Sequence, residues 1–399
     1  MKNSFKDLAA NENNPKWNNM IKREKELYSR NNDIRSEFER DYTRIIHSNA
    51  YKRMKHKTQV FFSPESDHIC TRIEHVTHVE SISYTIANYL GLNTELTKAI
   101  ATAHDIGHSP FGHQGEKILS EISKRDIGIG FWHEKNGVTA VDKIELLQDN
   151  HGVMKNLNLT YAVRDGIISH CGEIDENNLK PREEAINLDD YIAPNQFAPY
   201  TWEGCVVKIA DKISYLGRDI QDAIKLGILD DKIDKLHEIL GCTASETLNN
   251  TVIINNLIDD LCKNSSPEKG LCFSEEGFKL INKIKDFNYK NIYLSERILP
   301  SNKYFNLIIN EIYDTLKKCF NYENTIDKMN FMQTIYPKVI GNFKEWLSNY
   351  WNLERNSKLE NDVLFNISNE LDYNKAIILY IAGMTDNFAI ETYINIVGF

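Results

Sequence analysis

The chain has 399 residues, 41% of them hydrophobic, enough to bury a sizeable core in one large or two closely packed domains. A formal charge of −10 argues against a general nucleic-acid coat, because phosphate affinity depends on clustered Lys and Arg. No stretch approaches the roughly 18 unbroken apolar residues of a membrane span, and the seven cysteines form no CxxC pair. The expectation is a cytoplasmic protein without membrane association, zinc ribbon or disulfide framework.

In chain order, residues 1–40 read as a polar N-terminal lead-in with no apolar signal segment. Val76, Val79, Ile82, Ile86 and Leu90 recur at helical spacing, with Gly91 as the stop. Val138, Val141, Ile144 and Leu147 predict another helix. The clearest helix spans about 203–225, where Val206, Ile209, Ile213, Leu216, Ile220 and Ala223 form an apolar stripe. Asp211, Tyr215, Arg218 and Asp222 lie on a different face of that helix. Beyond residue 226 the amphipathic pattern continues (Leu257 and Leu261; Leu307, Ile308, Ile312 and Leu316), with a loop near 264–270 and no chemistry that stands out. No alternating β-branched run is long enough to build a sheet, so the fold class is all-α. The organisation expected is the lead-in, a core over 41–230 and a helical C-terminal region over 231–399.

Eleven of the twelve histidines fall between His47 and His170, which points to a site built from the first half of the chain. The densest stretch runs from His104-Asp105 through His108 and His113 to Glu116. Adjacent side chains leave a helix about 100° apart, so His104 and Asp105 can share one ion only at a helix end or across a bound metal. Imidazole and carboxylate together suit Mn, Fe, Mg or Zn. The Gly and Pro residues between 107 and 115 break the helix and let the backbone approach a ligand. Further ligands must come from elsewhere: His75, with His78 competing by spacing, and Asp211 on the clearest helix.

The order His75, His104-Asp105, Asp211 resembles the HD superfamily of phosphohydrolases, and more closely the deoxyguanosinetriphosphate triphosphohydrolase (dGTPase)-like family of dNTP triphosphohydrolases. The likeness rests on the entry segment from Arg44 through Arg53 to Gln59, on Arg72-Ile-Glu-His75 and on the His104–Glu116 block. It extends through Phe131-Trp-His133-Glu134 and Asp211-Lys212-Ile-Ser-Tyr215-Leu-Gly-Arg-Asp219 to the C-terminal signature Tyr380–Asp386. It covers about 40–225 and 378–395, and it implies an HD core whose C-terminal signature packs back near the active site.

By that resemblance His75, His104, Asp105 and Asp211 are metal ligands for a divalent ion, with Mn or Mg first and Fe, Co or Zn as alternatives. His113 and Glu116 match a catalytic pair, and His108 and His133 match histidines that approach the phosphates. Arg72 and Lys212 match phosphate-side cations, while Gln59, Tyr215 and Asp219 match sugar contacts. The implied reaction is hydrolysis of a dNTP at the α-phosphate to deoxynucleoside and tripolyphosphate. The alternatives are another HD phosphohydrolase, acting on nucleoside monophosphates, cyclic nucleotides or guanosine tetraphosphate, and a silent nucleotide- or DNA-binding sensor. The resemblance also implies a homo-oligomer (tetramer or hexamer), nucleotide activators and weak single-stranded DNA binding. Asn387 stands where the family often carries arginine, and Met54-Lys55 replaces a leucine-glutamine pair, so guanine preference is not assumed.

Overall fold

The computed structural model describes residues 2–26, 33–62, 68–171, 177–241 and 250–398. Among the described residues the architecture is helical, with one short hairpin of strands Leu146–Gln148 and Met154–Asn156. The helix Arg72–Leu90 opens on a capping box, Thr71 with Glu74, and stops at Gly91, whose φ of +85° suits glycine. The next helix, Thr94–Ala103, is capped by the Asn93 side chain and ends immediately before His104. The His-Asp pair therefore sits at a helix end. The helix expected through Leu147 is shorter: His133–Thr139 runs into a π-turn, Ala140–Ile144, and Leu147 belongs to the hairpin.

Trp202–Lys225 is the axis of the molecule, packed by Arg72–Leu90, Thr94–Ala103, Tyr161–Ser169, Asn250–Asn264 and Glu275–Asn288. Its apolar stripe, including Val206, Ile213, Leu216 and Ile220, lies in the larger of two main apolar clusters. The other large cluster is built by Leu299–Lys317, Pro337–Leu347 and Glu370–Ala382. The helix Gly112–Asp126 links the two halves. Its first two turns carry His113 and Glu116, while Ile118, Leu119 and Ile122 are buried in the C-terminal cluster. None of the helices is long and apolar enough to cross a membrane among the described residues.

The N-terminal segment is tied to this frame. Phe5, Ala9, Ala10 and Met20 are buried in the larger cluster, a packing that the polar character of residues 1–40 does not announce. Glu203, fully buried in the first turn of the axial helix, accepts the backbone N–H groups of Ala10 and Asn93, each at 2.9 Å. Leaving two buried N–H groups without an acceptor costs about 1–3 kcal/mol each. Glu203→Leu is accordingly expected to lower the thermal midpoint far more than Glu203→Gln, which keeps an acceptor. Equal midpoints in a thermal denaturation series would contradict this role.

Candidate metal centre and active site

Four helix ends and one helix middle converge on a buried cluster. His75 comes from the first turn of Arg72–Leu90, and His104-Asp105 follows Thr94–Ala103. His133 opens His133–Thr139, and His170 follows Tyr161–Ser169. Asp211 projects from the middle of Trp202–Lys225. The close fit depends on Gly107. A Cβ there would fall 2.1 Å from the His133 carbonyl oxygen and 2.2 Å from the Gly137 nitrogen. The backbone approach made possible at Gly107 is thus to the chain's own neighbouring helix.

The structure brings together the four residues singled out as ligands. His75 Nε2 lies 2.9 Å from Asp211 Oδ1 and 3.7 Å from Asp105 Oδ2. His104 Nε2 lies 3.6 Å from Asp105 Oδ2 and 3.8 Å from Asp211 Oδ1. His78, half-buried, is in none of the metal-competent groups found among the described residues. Asp211 keeps 20% of its side chain exposed, against 0–5% for His75, His104 and Asp105, so the cluster opens toward solvent on the Asp211 side.

The donor set fits a divalent cation. His104 Nδ1 lies 2.7 Å from the carbonyl of Ala101, which can only accept, so Nδ1 carries the proton. Its Nε2 is then a lone pair aimed at two carboxylates, buried and without a hydrogen-bond partner. A cation resolves that conflict. Mutual electrostatics points the same way. Burial opposes ionisation of Asp105, yet the Arg72 guanidinium beside it holds its carboxyl well below the usual carboxylate range. Burial likewise opposes the charge on Asp211, and the hydrogen bond from His75 outweighs it.

Around this cluster stands a network of imidazoles and carboxylates. His108 Nε2 lies 3.1 Å from Asp105 Oδ1, and its ring stacks on His133 with centroids 3.7 Å apart. Glu116 accepts from His133 twice, from Nδ1 at 2.9 Å and from the backbone N–H at 3.0 Å. His113, whose side chain is 71% exposed, has Nδ1 3.7 Å from Glu116 Oε2. Burial disfavours the charged form of His133, but Glu134 and then Glu116 push its pKa up to about 10. Glu116 is held far down despite burial, chiefly by His133. The network therefore contains a persistent imidazolium between two carboxylates.

The remaining expected site residues are placed as follows. Arg72 is buried, with Nη1 at 2.5 Å from Asp105 Oδ2 and Nη2 donating to the carbonyls of Thr58 and Gln59. The Gln59 side-chain oxygen is buried without a partner. Lys212 lines a small cavity with Ile209, Ile213, Leu271, Phe273 and Phe278. Tyr215 is half-buried against the larger cluster. Asp219, two turns beyond Asp211, accepts from the Tyr293 hydroxyl at 2.5 Å, and burial pushes its carboxyl up to about 6.

Three residues escaped the sequence reading. His170 forms metal-competent groups with His104 and Asp105 and with His133 and Glu134. Its Nδ1 lies 2.7 Å from the Ile167 carbonyl, which leaves Nε2 as an acceptor. A histidine closing a helix, as at His104, was the available signal. Glu134 was quoted within a motif but given no role; both its carboxylate oxygens are buried without a hydrogen-bond partner. Tyr293 lies in the tract that showed no chemistry, and nothing in its local sequence marks it.

Comparison with known proteins agrees with this geometry. Residues 72–216 match the HD domain. A deoxyguanosinetriphosphate triphosphohydrolase-like protein from Caldanaerobacter subterraneus subsp. tengcongensis is 32% identical, over 90% of this chain and 85% of that protein. Proteins of the same description from Desulfatibacillum aliphaticivorans (34%, over 74% and 75%) and Rickettsia prowazekii (33%, over 90% and 91%) are also similar. With its HD domain and its buried His/Asp cluster, the chain belongs to the deoxyguanosinetriphosphate triphosphohydrolase-like family of HD phosphohydrolases.

Proposed function

We propose that this chain hydrolyses deoxynucleoside triphosphates at the α-phosphorus, releasing deoxynucleoside and tripolyphosphate. The observation that carries the reading is the buried, proton-free Nε2 of His104 facing Asp105 and Asp211, with His75 completing the set. It is supported by relatives named for that reaction on dGTP, and by a second carboxylate, Asp219, along the same helix. When bound by His75, His104, Asp105 and Asp211, a divalent cation (Mn or Mg first; Fe, Co or Zn as alternatives) supplies Lewis-acid stabilisation of phosphoryl charge and a more acidic water.

The chain's own residues supply the rest. His133, kept as an imidazolium by Glu134 and Glu116, offers positive charge to the triphosphate in a site shielded from water. His108, which burial holds well below its usual pKa, serves as a neutral hydrogen-bonding ring beside it. His113, on the exposed side and within reach of Glu116, is the proton donor to the departing 5′-oxygen. Water oxygen joins the α-phosphorus, the bond to the 5′-oxygen breaks, and that oxygen leaves as the deoxynucleoside hydroxyl. Lys212 is assigned to phosphate charge and Arg72 to holding Asp105. Gln59, Tyr215 and Asp219 are assigned to the sugar, with Tyr215 disfavouring a ribose 2′-hydroxyl.

Incubation with each of the four dNTPs and with GTP, in Mn and then Mg, tests the substrate assignment. Deoxynucleoside and tripolyphosphate with GTP spared is the expected outcome. No turnover across the panel, even with mixed dNTPs as activators, would sink it. His104→Ala and Asp211→Ala should each cut kcat by about a thousandfold or more and lower metal content by elemental analysis. Either variant with wild-type turnover and full metal would remove the ligand assignment. Ionised Asp219 is the stronger acceptor for a sugar hydroxyl, so the KM for dNTP should rise as pH falls through about 6. Asp219→Asn should raise KM and flatten that dependence; an unchanged profile would place Asp219 outside the substrate contacts.

A further inference from the structure

The C-terminal signature ends at Asp386, a residue the proposed chemistry does not use. Its carboxylate is only 4% exposed and bridges two segments remote in sequence. Oδ1 accepts the backbone N–H of Phe111 at 2.9 Å, and Oδ2 accepts that of Thr58 at 2.8 Å. An aspartate in the first turn of a helix ordinarily serves that helix's own N-terminus. Here the cap of Asp386–Val397 is the Thr385 side chain, which accepts from the Phe388 N–H, and both Asp386 oxygens turn outward.

What Asp386 holds is costly to hold. Phe111 has φ +64° and Gly112 φ +57°, two successive left-handed residues between His108 and His113. A side chain in that conformation costs about 1–2 kcal/mol, so surrounding contacts must enforce it. Contacts from the C-terminal half join the Phe62 ring, which packs edge-on against Phe111 with centroids 5.9 Å apart. Asp386 fixes the Phe111 N–H, and Phe305 stacks on the Phe111 ring with centroids 4.4 Å apart and planes 4° from parallel. The buried ammonium of Lys57 donates to the carbonyls of both His108 and Ala382.

We propose that Asp386 is a positioning residue for the hydrolytic site, so that the C-terminal helices form part of the catalytic apparatus. One oxygen acts through Phe111, which sets the entry angle of the helix whose first two turns carry His113 and Glu116. The other acts through Thr58 and Gln59, whose carbonyls receive Arg72 Nη2, while Arg72 Nη1 holds Asp105. A single carboxylate thus fixes the acid–base pair relative to the metal-side carboxylate. The inference rests on the dNTP reading given above.

Asp386→Asn keeps the shape but sets an amide NH2 against one of the two N–H donors. The expected result is a kcat lower by about tenfold or more, with KM within about twofold and metal content unchanged, since small misplacements of reacting groups act on turnover. Phe305→Leu, which loosens the same loop through its ring, should show the same kcat-selective loss and keeps the test open if Asp386→Asn fails to fold. A purely structural tie would lower the melting temperature yet leave kcat unchanged well below it, and that result in both variants would overturn the proposal. Wild-type protein inactive on every dNTP would instead overturn the underlying reading, and this inference with it.

Discussion

The site is organised around one buried carboxylate. Asp105 sits about 5% exposed among Arg72, His75, His104, His108 and His170, all within 4 Å. An ionised carboxylate so far from water is tolerable only when its charge is matched by pairing and hydrogen bonding. Arg72 provides the permanent partner, and its own burial is made acceptable by the carbonyls of Thr58 and Gln59. The geometry of the cluster therefore depends on segments that contribute no ligand. The imidazoles around Asp105 are either fixed by backbone carbonyls, as at His104 and His170, or engaged with a carboxylate, as at His75 and His108.

That dependence explains how the halves of the chain share one function. The HD domain supplies the cluster, but the helix Gly112–Asp126 buries its apolar face among the C-terminal helices, and Tyr293 reaches back to Asp219. The helices Leu299–Lys317 and Glu370–Ala382 are in this sense a scaffold for the side of the site that carries Glu116. The proposed catalytic pair, His113 and Glu116, stands on that same Gly112–Asp126 helix.

The parts legible in the sequence were those governed by local rules. Periodicity marked Arg72–Leu90 and Trp202–Lys225, Gly91 marked a helix end, and the crowding of histidines marked the half of the chain that builds the cluster. The adjacency of His104 and Asp105 called for a helix end or a bound metal between them, and the pair lies at the end of Thr94–Ala103. What stayed hidden depends on tertiary contact. The stripe through Val138 and Val141 continues to Leu147, but a π-turn intervenes because Leu146–Gln148 pairs with Met154–Asn156. Arg72 looked like a cation for phosphate, and only the fold shows its guanidinium on Asp105. Tyr293 and Phe305 lie in a tract whose composition is uninformative, and their roles arise from partners more than 70 residues away. Spacing could not separate His75 from His78, since both lie on one helix; in the fold His75 is the one that joins the buried cluster.

The most direct test of the central claim, water attack on the α-phosphorus at this buried cluster, is turnover of a dNTP in 18O-labelled water. The account predicts one labelled oxygen in the tripolyphosphate, on its terminal phosphate, and none in the deoxynucleoside. Label in the deoxynucleoside hydroxyl, or products of deoxynucleoside monophosphate and pyrophosphate, would contradict it.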